Sequence, residues 1–560
     1  MLQIEKKCLE DRPERDGLVA VLCLTIAALV IRLLLLGRVA VIETDGAYYG
    51  YLARMVRQGG FLEALNPAWP PLFPALTGIA AALTGDLEFS GGLVSALCGG
   101  FLVPVIYLLG IRTVGKEAGI LGAFITAFHP RLILYSELYL TESLYTLLFA
   151  VSLLVFSIAV SRQRRFLYFL CGLSFALLYT ARPDGVVSAA GVLLFLVLPL
   201  CRKSRSGWKS RSAALLFIAG AAVLILPYFT ALKERTGALS PGEKARYNFH
   251  LTYRGEYRRA GIDVVRGPIN RMPPYSVRED RNIDRGRREL PAHEPKRTSP
   301  SDYRVAEFLK VRYSAVFAHT ARTFFVNLFD KLPGAHYHVL FVFAVLGLFF
   351  RRRRSSDEIL WAALILLSIL AFSIYFPLRR FFISFVPLLN IWAACGILFV
   401  TKRVFLLSGG LSAGGVSWRM RKRKEAVTVF LVMLGLTAVL YSAGSVRSRD
   451  YPTEYRQAGL WLKGWGGKGV VVSARKPEVA FYAECDFVPL PHLGPTEIDP
   501  WMEKEGVTHL FLDERVIPRT RVELIPLLDE DLIPSSLIAV YHGGGKGRRT
   551  LILERSPAAE

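Results

Sequence analysis

Two carboxylates and a set of arginines are the residues of this chain best suited to chemistry. Glu43 and Asp45 stand two positions apart in VIETDGAYYGYLARMVRQGG, just past the first long apolar run, and Tyr48 and Tyr49 follow at once. A carboxylate within hydrogen-bond reach of a reacting hydroxyl can take its proton. Arg131, Arg182 and the pair Arg379 and Arg380 lie near the ends of other apolar runs, as do Glu142 and Asp184. A guanidinium fork binds phosphate oxygens bidentately and stabilises charge growing on them. An acidic pair at a bilayer surface, followed by a Tyr-rich amphipathic segment, points to catalysis at the membrane–water boundary.

The elements that must position these groups are membrane helices. The 560 residues are 52% hydrophobic, with a mean hydropathy of +0.36. Apolar runs long enough to cross a bilayer recur along the first 445 residues, at 18–36, 90–111, 117–134, 139–160, 166–181, 185–200, 212–232, 335–350, 357–376, 380–400 and 426–443. The expectation is eleven spans. The head of the first run, EKKCLEDRPERD, is long and mixed in charge, and no small-residue cleavage site follows, so the run does not read as a cleaved signal peptide. Basic loops at Arg112–Lys116, Arg162–Arg165, Lys203–Arg211, Arg351–Arg354 and Lys402–Lys424 set the orientation. With all of them cytoplasmic, the N-terminus is inside and the C-terminus outside. The piece 70–85, PPLFPALTGIAAALTG, is short and opens on two prolines; it is expected to be re-entrant or interfacial.

This topology gathers Glu43, Asp45, His129, Arg131, Glu137, Glu142, Arg182, Asp184, Arg379 and Arg380 at the outer face. Ionisable groups at membrane depth are costly, which makes them functional candidates. The competing reading for each is a snorkelling or interfacial charge.

An outer loop, 233–334, follows the seventh span; its middle is basic and rich in Tyr and Pro, and 303–331 reads as an amphipathic helix on the outer surface. From about 447 the pattern turns soluble. VVVSA, FVPLP, THLFLD, LIAVYH and TLILER read as strands, with PEVAFYAE and DPWMEKEG as helices between them. The expected division is therefore a membrane domain, 1–446, with outer loops 37–89 and 233–334, and an extracytoplasmic α/β domain, 447–560. GWGGKG and HGGGKG mark turns and fit no phosphate-binding loop. Of the seven cysteines only Cys485 falls in the outer domain, so none can pair with it there. His336 and His338 form a weak metal signal. The formal net charge of +23 comes largely from the cytoplasmic loops, which attract anionic headgroups, and is not read as a nucleic-acid signal.

The succession DGAYYGYLARMVRQGG, PPLFPALTG, HPRLILYSELYLTESLYTLLFA, ARPDG and RRFFISFVPLL resembles the membrane glycosyltransferases of the GT-C fold. More narrowly it is similar to glycosyltransferase family 39, the dolichyl-phosphate-mannose-protein mannosyltransferase-like group that includes the bacterial aminoarabinose transferases. The resemblance covers roughly 18–200 well, the tenth span moderately and the terminal domain loosely. It implies a multi-pass protein of the plasma (inner) membrane that takes a sugar from a polyprenyl phosphate and passes it to a lipid, glycan or protein. The family's catalytic aspartate matches Asp45. The acidic residue that commonly follows it is replaced by Gly46, while Glu43 lies two before. No cofactor is specified; a divalent metal is possible, with no ligand set named.

The chemistry of the residues fits. Asp45, with Glu43 in reserve, would take the acceptor proton. Arg379 and Arg380, then Arg182 and Arg131, are the candidates for the donor phosphate. Direct displacement would invert the anomeric centre. Tyr48 and Tyr49 could stack on sugar or belong to an interfacial aromatic belt. Two other classes stand beside this reading: a lipid-linked glycan flippase, against which no internal repeat is seen, and a non-catalytic scaffold, which leaves Asp45 and the outer arginines without a role.

Overall fold

The computed structural model describes residues 15–198, 207–236, 242–262, 304–350, 354–408, 451–465, 469–545 and 548–556. The expected span at 426–443 and the loop 270–300 lie outside them.

The first helix, α1 (Arg15–Leu35), turns Leu18, Leu22, Ile26 and Leu33 outward and buries Val21, Thr25, Ala28 and Arg32. That apolar outer face suits lipid. The chain leaves the helix through Gly37, whose φ of 80° few other residues adopt, and enters α2 (Thr44–Arg57). The helix α3 (Leu72–Thr84) has 13 residues, about 20 Å at 1.5 Å per residue, short of a hydrocarbon core of about 30 Å. It lies against α2. The segment 70–85 is thus a short helix packed on the one that carries Asp45.

Next come α4 (Leu87–Thr113), α5 (Lys116–Phe128), α6 (Pro130–Glu137), α7 (Glu142–Arg162), α8 (Arg165–Ala181), α9 (Gly185–Val197) and α10 (Gly207–Thr236). The helices α11 (Glu243–Arg259) and α12 (Val305–Val326) follow; a π-turn joins α12 to α13 (Leu332–His336) and α14 (His338–Phe349). Then come α15 (Ser356–Phe372), a 3-10 turn over Arg379–Phe385 and α16 (Val386–Ser408).

Among the described residues, five helices are long and apolar enough to cross a membrane, or up to seven if each bent pair is one span. The expected spans 117–134 and 335–350 belong to those bent pairs. One bends by 48° at His129 and the other by 106° at Tyr337. The expected spans 166–181, 185–200 and 357–376 are helices of 17, 13 and 17 residues. Averaged hydropathy does not register the bend at His129, because the apolar stretches on either side of His129-Pro130-Arg131 merge into one run, and the bend at Tyr337 falls at the edge of its expected span.

After α17 (Thr453–Gly464), the C-terminal region builds β1 (Val471–Ala474), α18 (Glu478–Ala483), β2 (Asp486–Pro489), α19 (Pro495–Glu505), β3 (His509–Asp513), a short turn of helix at Ile517–Thr520, β4 (Leu537–Gly545) and β5 (Arg548–Arg555). The sheet order is β2-β1-β3-β5-β4. The β1–β2 and β1–β3 pairs are parallel; β3–β5 and β4–β5 are antiparallel. Its own apolar core includes Ile498, Met502, Leu510, Leu512 and Leu553.

The sheet region sits on α2 through α18. Thr44 Oγ donates to Glu478 (2.7 Å), Arg54 donates to the Phe481 carbonyl (2.9 Å), and the Tyr482 hydroxyl bonds Glu88 (2.8 Å) while accepting from the Ile42 amide (2.8 Å). A side chain at Gly50 would run into the Phe481 ring. A Cβ at Gly46 would lie 2.6 Å from the Tyr139 carbonyl oxygen. Close approach on two sides therefore holds the helix that bears Asp45.

Candidate active site

Asp45 occupies the first turn of α2, where the helix dipole favours an acidic side chain. Its Oδ2 accepts from the Arg380 guanidinium at 2.7 Å, and the Lys244 ammonium lies 3.9 Å away. Burial alone would raise the carboxyl pKa; Lys244, then Arg380 and Arg182, outweigh it and hold Asp45 below the usual carboxylate range. Lys244 is pulled down by burial, with the attraction of Asp45 acting against that.

Three separate stretches bring these groups together. Arg380 stands in the 3-10 turn after Pro377, pinned by buried Phe382, packed edge-on to Phe372, and Phe385, packed edge-on to Phe149. Lys244 opens α11. That helix is anchored by Phe249, Tyr253 and Tyr257 on Phe308 of α12, and by a bond from the Tyr253 hydroxyl to the Ile374 carbonyl (3.0 Å). Trp69 lies in a turn fixed by Asn66, whose side-chain oxygen accepts from the Ala68 and Trp69 amides. The Lys244 ammonium sits 3.6 Å from the Trp69 ring centroid, a cation–π contact. Tyr48 and Tyr49 pack on the same ring at 4.9 and 5.0 Å.

A second cluster faces the same space. Arg182 ends α8 in extended backbone, the conformation a following proline, Pro183, favours. Its fork reaches Asp184 (2.7 Å) and Glu142 (3.3 Å), and it lies 5.4 Å over the Tyr145 ring. Burial works against the Arg182 charge, but Asp184 and Glu142 together raise its pKa above the ordinary value. Glu142 is 5% exposed and its second oxygen has no hydrogen-bond partner among the described residues.

Both clusters line one cavity of about 1230 Å³. Asp45, Tyr48, Tyr49, Glu142, Arg182, Asp184 and Arg380 all face it. Glu43, Arg131 and Arg379 do not. Glu43 is exposed at the N-cap of α2. Arg131 lies 5.1 Å over the Tyr337 ring. Arg379 is 47% exposed and pairs with Asp330 at 3.3 Å. His129 and Glu137 are buried among the helices, His129 stacked on His336 and Glu137 acting on Arg32. His336 bonds Asn390 at 2.8 Å.

Sequence reasoning missed Lys244 and Trp69. Their signals were faint: GEK opening an aromatic helix, and Trp beside the double proline. Two cations meet Asp45, and no group of three His, Cys, Asp or Glu able to hold a metal occurs among the described residues. The residues around Asp45 do not fit a divalent metal.

The profile of the family described as "Dolichyl-phosphate-mannose-protein mannosyltransferase" matches residues 68–229. No curated protein matches the chain. Among solved structures, ArnT from Cupriavidus metallidurans bound to undecaprenyl phosphate aligns over 95% of this chain and 97% of its own, with a TM-score of 0.56 and 14% identity. The archaeal oligosaccharyltransferase AglB from Archaeoglobus fulgidus, in complex with an inhibitory peptide and a dolichol-phosphate, aligns over 89% of this chain and 69% of its own, with a TM-score of 0.56 and 13% identity. The chain has the GT-C fold of these membrane proteins.

Proposed function

We propose that the chain is a membrane glycosyltransferase that moves a sugar from a polyprenyl-phosphate-linked donor to the hydroxyl of a lipid, glycan or protein acceptor on the outer face. One observation carries the proposal: a carboxylate and two cations, Asp45 with Arg380 and Lys244, meet on the wall of a cavity large enough for a sugar and its partner. The names of the neighbours support the donor class. ArnT was bound to undecaprenyl phosphate, AglB to a dolichol-phosphate, and the matching family is named for dolichyl-phosphate-mannose.

The donor phosphate takes Arg380 and Lys244, competing with Asp45 for them. This competition matters. While both cations hold it, Asp45 is a weak base; as phosphate draws them off, its basicity rises towards the working pH, where base catalysis is efficient. The acceptor oxygen attacks C1 of the sugar. The C1–O bond to phosphate breaks, the polyprenyl phosphate leaves with the electron pair, and Asp45 takes the hydroxyl proton. Displacement from one face inverts C1. Arg380 and Lys244 stabilise the charge gained by the leaving phosphate.

Arg182 holds Glu142 and Asp184 in place, and those carboxylates accept from sugar hydroxyls. Tyr48 and Tyr49 support the sugar. Arg131 and Arg379 act as interfacial anchors, and Glu43 lies outside the reaction. On this reading 1–446 is the membrane domain and 447–560 an extracytoplasmic domain over the site, with the N-terminus cytoplasmic, in the plasma (inner) membrane.

The test is release of radiolabelled sugar from polyprenyl-phosphate-linked pentose and hexose donors by the purified protein, beside its Asp45→Asn variant. Release by wild type and not by the variant is expected. Equal release by both would overturn the assignment.

A further inference from the structure

Two parts of the cavity lining differ in how their charges are satisfied. On the membrane-helix wall, Asp45 and Arg182 are engaged with oppositely charged neighbours. Another part of the lining belongs to the C-terminal region. Arg475, in the residue after β1, faces the cavity and has no hydrogen-bond or ion-pair partner among the described residues. Arg475 shares this cavity with Asp45 and Tyr48, and its charge reaches the Tyr48 phenol, on which Glu478 and Asp45 act more strongly. Arg254 of α11 lines the same space, also without such a partner. Pro489, Leu490 and Pro491, at the end of β2, complete the edge. Arg475 and this edge both sit at the carboxyl ends of parallel strands, where open α/β sheets present their ligand sites.

The edge also favours one kind of acceptor. An extended peptide would have to add to the edge strand β2 through backbone hydrogen bonds. Pro489 and Pro491 lack the amide hydrogen that such pairing uses. Trp501, half-buried against the core of the sheet, lines the same cavity and supplies apolar aromatic surface there.

We infer that Arg475, seconded by Arg254, is the anchor of an acceptor subsite, and that the acceptor is an anionic saccharide bearing a phosphate or carboxylate near its accepting hydroxyl. The inference rests on the glycosyl-transfer reading of the Asp45 site. In it the donor phosphate and the acceptor anion occupy different parts of the lining, each met by its own cations, and the accepting hydroxyl is held between them beside Asp45.

Binding of octyl glucoside 6-phosphate, octyl glucuronide and neutral octyl glucoside to the full-length protein holding undecaprenyl phosphate tests it; the first two probes separate phosphate from carboxylate. Wild type should prefer the charged probes by about 10-fold or more, the scale of one charge-assisted hydrogen bond. Arg475→Gln should remove most of that preference and leave undecaprenyl phosphate binding unchanged, and Arg254→Gln should remove a smaller part. Arg475 is exposed, so the variant folds. Equal binding of charged and neutral probes by wild type, or an unchanged preference in Arg475→Gln, overturns the inference. Neither result touches the donor reading, which stands or falls on sugar release and Asp45→Asn.

Discussion

Asp45 with Arg380 and Lys244 is one carboxylate between two cations; Arg182 with Glu142 and Asp184 is one cation between two carboxylates. The first set keeps positive charge in excess and is the more open, with Asp45 26% and Arg380 33% exposed. In the second the central Arg182 is 14% and Glu142 5% exposed, with Asp184 open at 27%. A group short of negative charge can accept an anion; one with negative charge to spare can only repel it. On the proposed reading the phosphate therefore belongs beside Asp45, with Arg380, one of the pair that the sequence placed ahead of Arg182 and Arg131. The second set lines the same cavity, and on the proposed reading it presents its carboxylates to sugar hydroxyls.

The largest expected effect falls on the first cluster. Asp45→Asn should cut sugar transfer by roughly 10²–10⁴-fold, the usual contribution of a general base. Next comes Arg380→Gln, which should weaken undecaprenyl phosphate binding by about 10–100-fold, since a charge-assisted bond is worth about 1.5–3 kcal/mol. Arg182→Met should do something different in kind. Removing one partner of a buried pair costs about 3–5 kcal/mol; its partial exposure brings that nearer about 2 kcal/mol. A lowered Tm with undecaprenyl phosphate affinity kept would sharpen the contrast; the reverse pattern would break it.

A pH profile gives a smaller effect. The Asp45 pKa is depressed by its cations, so in wild type the carboxylate persists to lower pH than the ordinary value of about 3.9. Arg380→Gln removes one of those cations, and the acid limb of the residual rate should move to higher pH. The smallest effect is Arg379→Lys. An exposed pair such as Arg379–Asp330 contributes about 0–1 kcal/mol, so transfer and donor binding should match wild type.

Much of the architecture was legible because hydropathy and alternation are local signals. Asp45 stood out through its place after an apolar run, and the strand stretches stood out through their β-branched residues and turns. What escaped depended on distant parts of the chain. Arg379 and Arg380 look alike in sequence, but successive residues of a 3-10 turn point about 120° apart, so one faces Asp45 and the other Asp330. Lys244 comes to Asp45 from 199 positions away by way of a helix docked on Phe308, and no spacing rule announces that. Arg475 escaped because the C-terminal strands carry no motif; its role lies in the cavity that they help to close. The bend at His129 escaped because averaged hydropathy merges the apolar stretches on either side of His129-Pro130-Arg131, and that at Tyr337 because it falls at the edge of the expected span.

The central claim is that donor phosphate and Asp45 compete for Arg380 and Lys244. Undecaprenyl phosphate affinity of wild type and Asp45→Asn, measured on the same preparations used for sugar transfer, tests it most directly. Removing the carboxylate charge frees both cations, so the variant should bind undecaprenyl phosphate more tightly, by several-fold, while its transfer collapses. Weaker binding by a folded Asp45→Asn protein would contradict the account.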